Sequence, residues 1–190
     1  MKKITNALLA LLLVFALCAC SQNTQSAMSI KPSELSDETE EVLDLFDDEI
    51  RFFDVSFDES VKSYAVSVWA YRDGEWTEAG TTVGNVENLT GKIAVRLTET
   101  GCDLYFIDED GHIKYSVPNL ETSFDESTGI GGAKIDREIP IELNREIPIL
   151  VKIGTDGNTM SVADITEDFR NAECSAGIAV TLTVYDKAAE

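Results

Sequence analysis

Ile178, Val180, Leu182 and Val184 stand at every second position near the end of the chain, with Thr181 and Thr183 between them. Successive side chains of a β-strand point to opposite faces, so a period of two builds one apolar face and one polar face. A helix would scatter the same residues around its axis. The same alternation recurs upstream. It begins at Ile50 and continues in Tyr64, Val66, Val68 and Ala70. Ile93, Val95 and Leu97 follow, then Leu104 and Phe106, then Ile113, Tyr115 and Val117. Ile147, Ile149, Val151 and Ile153 are expected to form a further single row. Asp73-Gly74 and Asp110-Gly111 are two-residue hairpin signals. About eight or nine short strands separated by turns predict an antiparallel β-sandwich, because strands with one polar face pair antiparallel in open sheets.

One helix is expected before the strands, over residues 36–49. Val42, Leu43, Phe46 and Ile50 recur at three- and four-residue spacing. Ser36 suits the N-cap, and Asp37, Glu38, Glu40 and Glu41 suit the positive end of the helix dipole. Residues 119–134, with Gly129, Gly131 and Gly132, read as a long loop, and 161–171 as a short helix ahead of the last strand. Ser-Phe-Asp-Glu-Ser occurs at 56–60 and again at 123–127. Arg-Glu-Ile-Pro-Ile occurs at 137–141 and 145–149. Pro140 and Pro148 lack the donor that a central strand needs, so the second pair reads as two edge strands of one hairpin.

The start of the chain has a different character. Lys2 and Lys3 precede an unbroken apolar run from Ala7 to Leu17. A run of about eleven residues is too short to cross about 30 Å of hydrocarbon as a helix, so it reads as a secretion signal. Leu17-Cys18-Ala19-Cys20 then resembles the lipobox of bacterial lipoproteins, with Leu at −3, a small residue at −1 and Cys at +1. The resemblance implies cleavage before Cys20 and a thioether-linked diacylglycerol on it. That lipid would hold the protein at the cell membrane on its extracytoplasmic side. Two acyl chains hold stably where one holds weakly. The expected organisation is a signal peptide at 1–19, a lipidated Cys20 with a tether to 35, and one β-rich domain at 36–190. The hairpin Trp-Ala-Tyr-Arg-Asp-Gly-Glu-Trp at 69–76 resembles segments of small, uncharacterised lipoproteins of Gram-positive bacteria.

Charge narrows the partners. The chain carries −20, and loss of Lys2 and Lys3 with the leader makes the mature protein two units more negative. Such a surface repels nucleic-acid phosphates and anionic lipid headgroups, so no nucleic acid is expected and the acyl anchor works without electrostatic help. After processing, Cys102 and Cys174 are the remaining unmodified cysteines. An exported domain permits a disulfide between them, and two small buried thiols are equally open.

No catalytic or cofactor signature stands out. His112 is the only histidine, and no Gly-x-Ser-x-Gly elbow accompanies it. Asp108-Glu109-Asp110-Gly111 matches a fragment of a calcium loop but lacks the late bidentate Glu, so a turn explains it better. The strongest candidate is aromatic. If Asp73-Gly74 is a two-residue turn, Tyr71 faces Trp76, Trp69 faces Glu78, and the three rings share one face. The opposite, core-facing row is then Tyr64, Val66, Val68, Thr77, Ala79 and Val83. Aromatic rings beside a carboxylate can stack on sugars or grip a peptide. Another element can also cover them, and helix 36–49 is the expected lid. Three functions fit these features: a non-enzymatic binding or interaction module with a protein or carbohydrate partner, a secreted cell-envelope hydrolase, or a structural envelope protein.

Overall fold

The computed structural model describes residues 28–46, 48–98, 100–120, 122, 124, 129–155, 168–172 and 174–189. The lipobox with Cys20, and most of the second Ser-Phe-Asp-Glu-Ser segment, lie outside them. The alternating segments form β1 (Ser29–Pro32), β2 (Glu49–Ser56), β3 (Ser63–Arg72), β4 (Glu75–Asn85), β5 (Thr90–Leu97), β6 (Cys102–Asp108), β7 (Gly111–Val117), β8 (Gly129–Lys134), β9 (Ile139–Pro140), β10 (Ile147–Thr155) and β11 (Ala176–Tyr185). They pair antiparallel into a six-stranded sheet, β7-β6-β5-β2-β1-β9, and a five-stranded sheet, β4-β3-β11-β10-β8. The expected sandwich-like β architecture is what the chain adopts.

The core lies between the inner faces. Phe53, Val55, Ile93, Val95, Leu97 and Leu104 of the first sheet meet Val66, Val68, Ala70, Ile178, Val180, Leu182 and Val184 of the second. Tyr64 stacks on Phe106 across the two sheets, with centroids 4.2 Å apart. On its outer face the first sheet carries a charged ladder. Asp103 accepts from Ser116 at 2.6 Å and pairs with Lys114 at 2.9 Å and Arg96 at 3.6 Å, while Lys92 pairs with Asp54.

Two β-bulges change which residues point inward. The β3–β4 register shifts between Val68 and Trp69, where Val68 opposes Gly80 and Trp69 opposes Glu78, leaving Ala79 as the extra residue. An extra residue reverses the phase of everything beyond it. Val83 therefore opposes Ala65 and is 54% exposed, contrary to its expected place in the core row. The β10–β11 register shifts between Pro148 and Leu150. Ile147, Ile149 and Leu150 enter the main core, whereas Val151 and Ile153 join a second cluster. The expected single row of four is thus split between two faces.

Other expectations are also corrected. Ser29–Pro32, expected in the tether, is β1 of the first sheet, with Ile30 buried in the core, so the β-rich domain begins ahead of residue 36. Residues 129–134 are a strand, not loop: β8 pairs with β10 from Leu150↔Lys134 to Thr155↔Gly129. The ladder of β10 supplies the partner that local sequence did not reveal. The two Arg-Glu-Ile-Pro-Ile segments are not one hairpin. Ile139 and Pro140 lie at the edge of the first sheet beside β1, and Pro148 belongs to β10 in the second. Pro148 is tolerated there because the β8 ladder starts only at Leu150 and a bulge follows directly. The second two-residue loop is Glu109-Asp110, since Asp108 pairs with Gly111. Asp73 and Gly74, at φ 52° and 90°, make the first hairpin as read, with both central residues left-handed.

The helix, α1 (Asp37–Leu43), is shorter than expected. Ser36 caps it by accepting from Thr39 N–H at 3.3 Å. Leu45 and Phe46 continue the winding through i→i+3 bonds to Val42 and Leu43 at 3.2 and 3.1 Å, a tightened last turn. No residue of α1 is buried.

Candidate functional site

The paired register places the aromatic trio as the sequence implied. Tyr71 opposes Trp76 and Trp69 opposes Glu78, and the Tyr71 and Trp76 rings lie 5.5 Å apart, edge to face. The covering element is different. α1 is not the lid. Residues 168–172, with a 3-10 turn at Phe169–Asn171, lie across this outer face of the second sheet. Residues 168–171 fall in the segment expected to be helical; 161–167 lie outside the described residues.

Phe169 is fully buried and fills the space between the two tryptophans. Its ring is 4.8 Å from Trp76, edge-on, and 6.0 Å from Trp69. Val151, Ile153 and Ala179 form the floor, with Ala133, Ala172 and Cys174 at the margin. Trp76 presses on the backbone so closely that a Cβ on Gly177 would come within 2.4 Å of its ring. The β10 bulge explains this second core: once the phase flips, Val151 and Ile153 need cover on the outer face, and Phe169 supplies it.

A polar chain secures the cover. Trp69 Nε1 donates to Thr181 Oγ1 at 3.2 Å, and Thr181 donates to Glu146 at 2.9 Å. Glu146 pairs with Arg170 at 2.8 Å, and the Arg170 guanidinium lies 4.1 Å from the centre of the Trp69 ring. Thr181 is 1% exposed, so its hydroxyl needs both partners. Trp76 Nε1 is buried with no acceptor among the described residues. Trp69, Tyr71 and Trp76 are thus part of a packed cluster with only partly exposed rims.

On the same face lies an open groove of about 660 Å³, lined by Ser63, Ser67, Glu78, Thr81, Tyr185 and Lys187 among others. Its serine and threonine hydroxyls are engaged within the protein: Ser67 bonds Thr81 at 2.7 Å, and Ser63 donates to the Lys187 carbonyl at 2.7 Å.

His112 is exposed on β7, with its ring 6.5 Å from that of Tyr105. No serine or carboxylate hydrogen-bonds it among the described residues. The Asp108 carboxylate accepts from the backbone of Asp110 at 3.0 Å and of Gly111 at 3.2 Å, and Asn88 donates to both Asp108 and Asp110. These acids close a turn. Cys102 and Cys174 are free thiols. Cys102 lies in the core between the sheets and Cys174 in the outer cluster, so the second sheet separates them. A disulfide between them is not formed. Burial, helped by the Asp103 charge, pushes the Cys102 thiol up to about 12, and burial pushes Cys174 up to about 11.

A run of large apolar side chains reaches solvent elsewhere, in addition to Val83, Leu89, Ile113 and Ile130 at scattered positions. Val42, Leu45 and Phe46 are 54%, 82% and 55% exposed. Sequence periodicity identified Val42 and Phe46 as one apolar stripe but assigned that stripe to burial.

No family model, curated protein or solved structure matches the chain.

Proposed function

We propose that this chain is a membrane-anchored extracytoplasmic lipoprotein, acylated on Cys20, whose β-sandwich is a non-enzymatic binding module displayed away from the membrane. The Leu17-Cys18-Ala19-Cys20 motif supports the anchor. The direction of β1 supports the display and is the observation that carries it. Ser29 pairs with Ser56 and Pro32 with Phe53, so β1 runs from the tether toward α1, and β2 returns from Glu49. Seven residue steps separate Glu49 from Ser56, so the chain returns from α1 into β2 about 23 Å along the sheet from the point where the tether enters. The Asp73-Gly74 hairpin and the cover at 168–172 lie at this same far end, because Tyr71 pairs with Gly177 and Arg72 donates to the Leu120 carbonyl beyond β7.

Acyl labelling and detergent phase separation of the expressed full-length chain test the anchor. The expected result is label on the wild type, partition into the detergent phase, and loss of both in Cys20→Ser. An unlabelled wild type found wholly in the aqueous phase would overturn the reading.

A further inference from the structure

We propose that the ridge formed by Val42, Leu45 and Phe46 docks a protein partner whose contact surface is apolar and edged with lysine and arginine. The proposal rests on the displayed-module reading and specifies its contact surface. The three side chains are spaced i, i+3, i+4 along one continuous helical winding, so they stand side by side. All are more than half exposed. A helical stripe of this kind normally faces a core. Here the first sheet's inner face is already filled, and the second cluster is closed by Phe169, so nothing described in the fold covers the stripe. Contiguous exposed apolar surface rimmed by polar groups marks contact sites.

Charge selects the occupant. From Pro32 to Ile50 the sequence has nine acids and no lysine or arginine. Lys92 and Lys114 pair on the outer ladder, Arg170 pairs with Glu146, and Arg96 pairs with Asp48 and Asp103 rather than with an acid of α1. Among the described residues Glu38 and Glu41 are in no ion pair, and they border the ridge, one turn ahead of Val42 and of Leu45. A second copy would bring two such acidic rims together, within an overall charge of −20 on each chain. An anionic membrane is disfavoured by the same charge and by the placement of α1 at the far end of the sheet. An apolar surface bordered by ammonium or guanidinium groups satisfies both the ridge and its rim, as in helix-in-groove recognition.

The test uses the full mature lipoprotein in detergent micelles and a fluorescein-labelled helical peptide of leucine and lysine. A second peptide with serine in place of leucine serves as the control. Fluorescence anisotropy is read at about 50 and about 300 mM salt, which changes screening at the rim. Wild type is expected to bind the leucine–lysine peptide, more weakly at high salt, and to bind the serine peptide poorly. Val42→Ser/Leu45→Ser/Phe46→Ser and Glu38→Gln/Glu41→Gln should each lose about tenfold or more in affinity, with unchanged circular dichroism and melting. Several results would overturn the proposal. Wild type could fail to bind, or the serine triple variant could bind equally, which marks general electrostatic capture. A wild-type dimer that the serine variant abolishes in sedimentation velocity points to a second copy. A lowered melting temperature in that variant points to cover by the chain's own segments. Cys20→Ser should bind the peptide as wild type does, so failure of the anchor appears in partitioning and failure of the ridge in binding.

Discussion

The Arg170 guanidinium lies over the Trp69 indole at 4.1 Å from the ring centre while holding Glu146 at 2.8 Å. One side chain thus clamps the outer cover to β3 and to the segment entering β10. The aromatic face, which sequence left either open to a ligand or covered, is the roof of a second small core. Phe169 is its central piece.

Phe169→Ala is expected to lower stability by about 3 kcal/mol, as for other buried aromatics cut to alanine. Both tryptophans of the chain sit in this cluster, so their emission should shift to the red in the folded variant. Urea unfolding and fluorescence spectra check this. A variant with wild-type midpoint and emission would show that the cluster is not a core.

Gly177→Ala tests the closeness of Trp76 to β11. The added methyl meets the indole at 2.4 Å, so the ring or the strand must move. A cost of about 1–3 kcal/mol is expected. Trp76→Leu in the same background should recover part of the loss, since it removes the atoms in conflict. Thermal melts of the single and double variants measure the coupling.

The two cysteines give a chemical prediction. With thiols pushed up to about 12 and about 11, little thiolate exists at neutral pH. Ellman's reagent should leave Cys102 untouched in the native protein and react slowly at Cys174, with both available in denaturant. Mass spectrometry without reductant should find no internal disulfide. A Cys102–Cys174 bridged peptide would contradict the separation of the two thiols by the second sheet.

Acid stability follows from the ladder on the first sheet. Partial burial by itself would raise Asp103, but bonds from Ser116 and Lys114 and the charges of Lys114 and Arg96 outweigh it and hold the carboxyl below its ordinary 3.8. In Asp54, burial is likewise outweighed by Lys92 and Ser33, with help from Lys31. A depressed folded pKa contributes stability above the unfolded value, and the contribution is lost as pH falls through the folded value. Unfolding free energy should therefore decline as pH drops below about 4. Asp103→Asn should be less stable at neutral pH and show a shallower acid decline. Denaturant titrations at a series of pH values read both effects.

Much of the architecture was legible in local chemistry. Alternation located most of the long strands, and Asp73-Gly74 set the register that opposes Tyr71 to Trp76, because a two-residue turn fixes pairing within the hairpin. Ser36 and the acids behind it marked the helix start. Legibility stopped at each bulge. Gly80 beside Ala79 and Pro148 beside Ile149 permit a bulge without requiring one, yet each bulge inverts the faces beyond it, exposing Val83 and turning Val151 and Ile153 outward. β8 was missed because a glycine-rich segment has no strand signal of its own.

By itself the order of residues determined the period-two strands, the acidic balance and the shared face of Trp69, Tyr71 and Trp76. These depend on neighbours within a few positions. Tertiary structure alone decided that Phe169 closes that face and that Val42, Leu45 and Phe46 remain in solvent. Burial depends on what else reaches the same place, and the partners of these side chains, or the lack of them, lie scores of residues away.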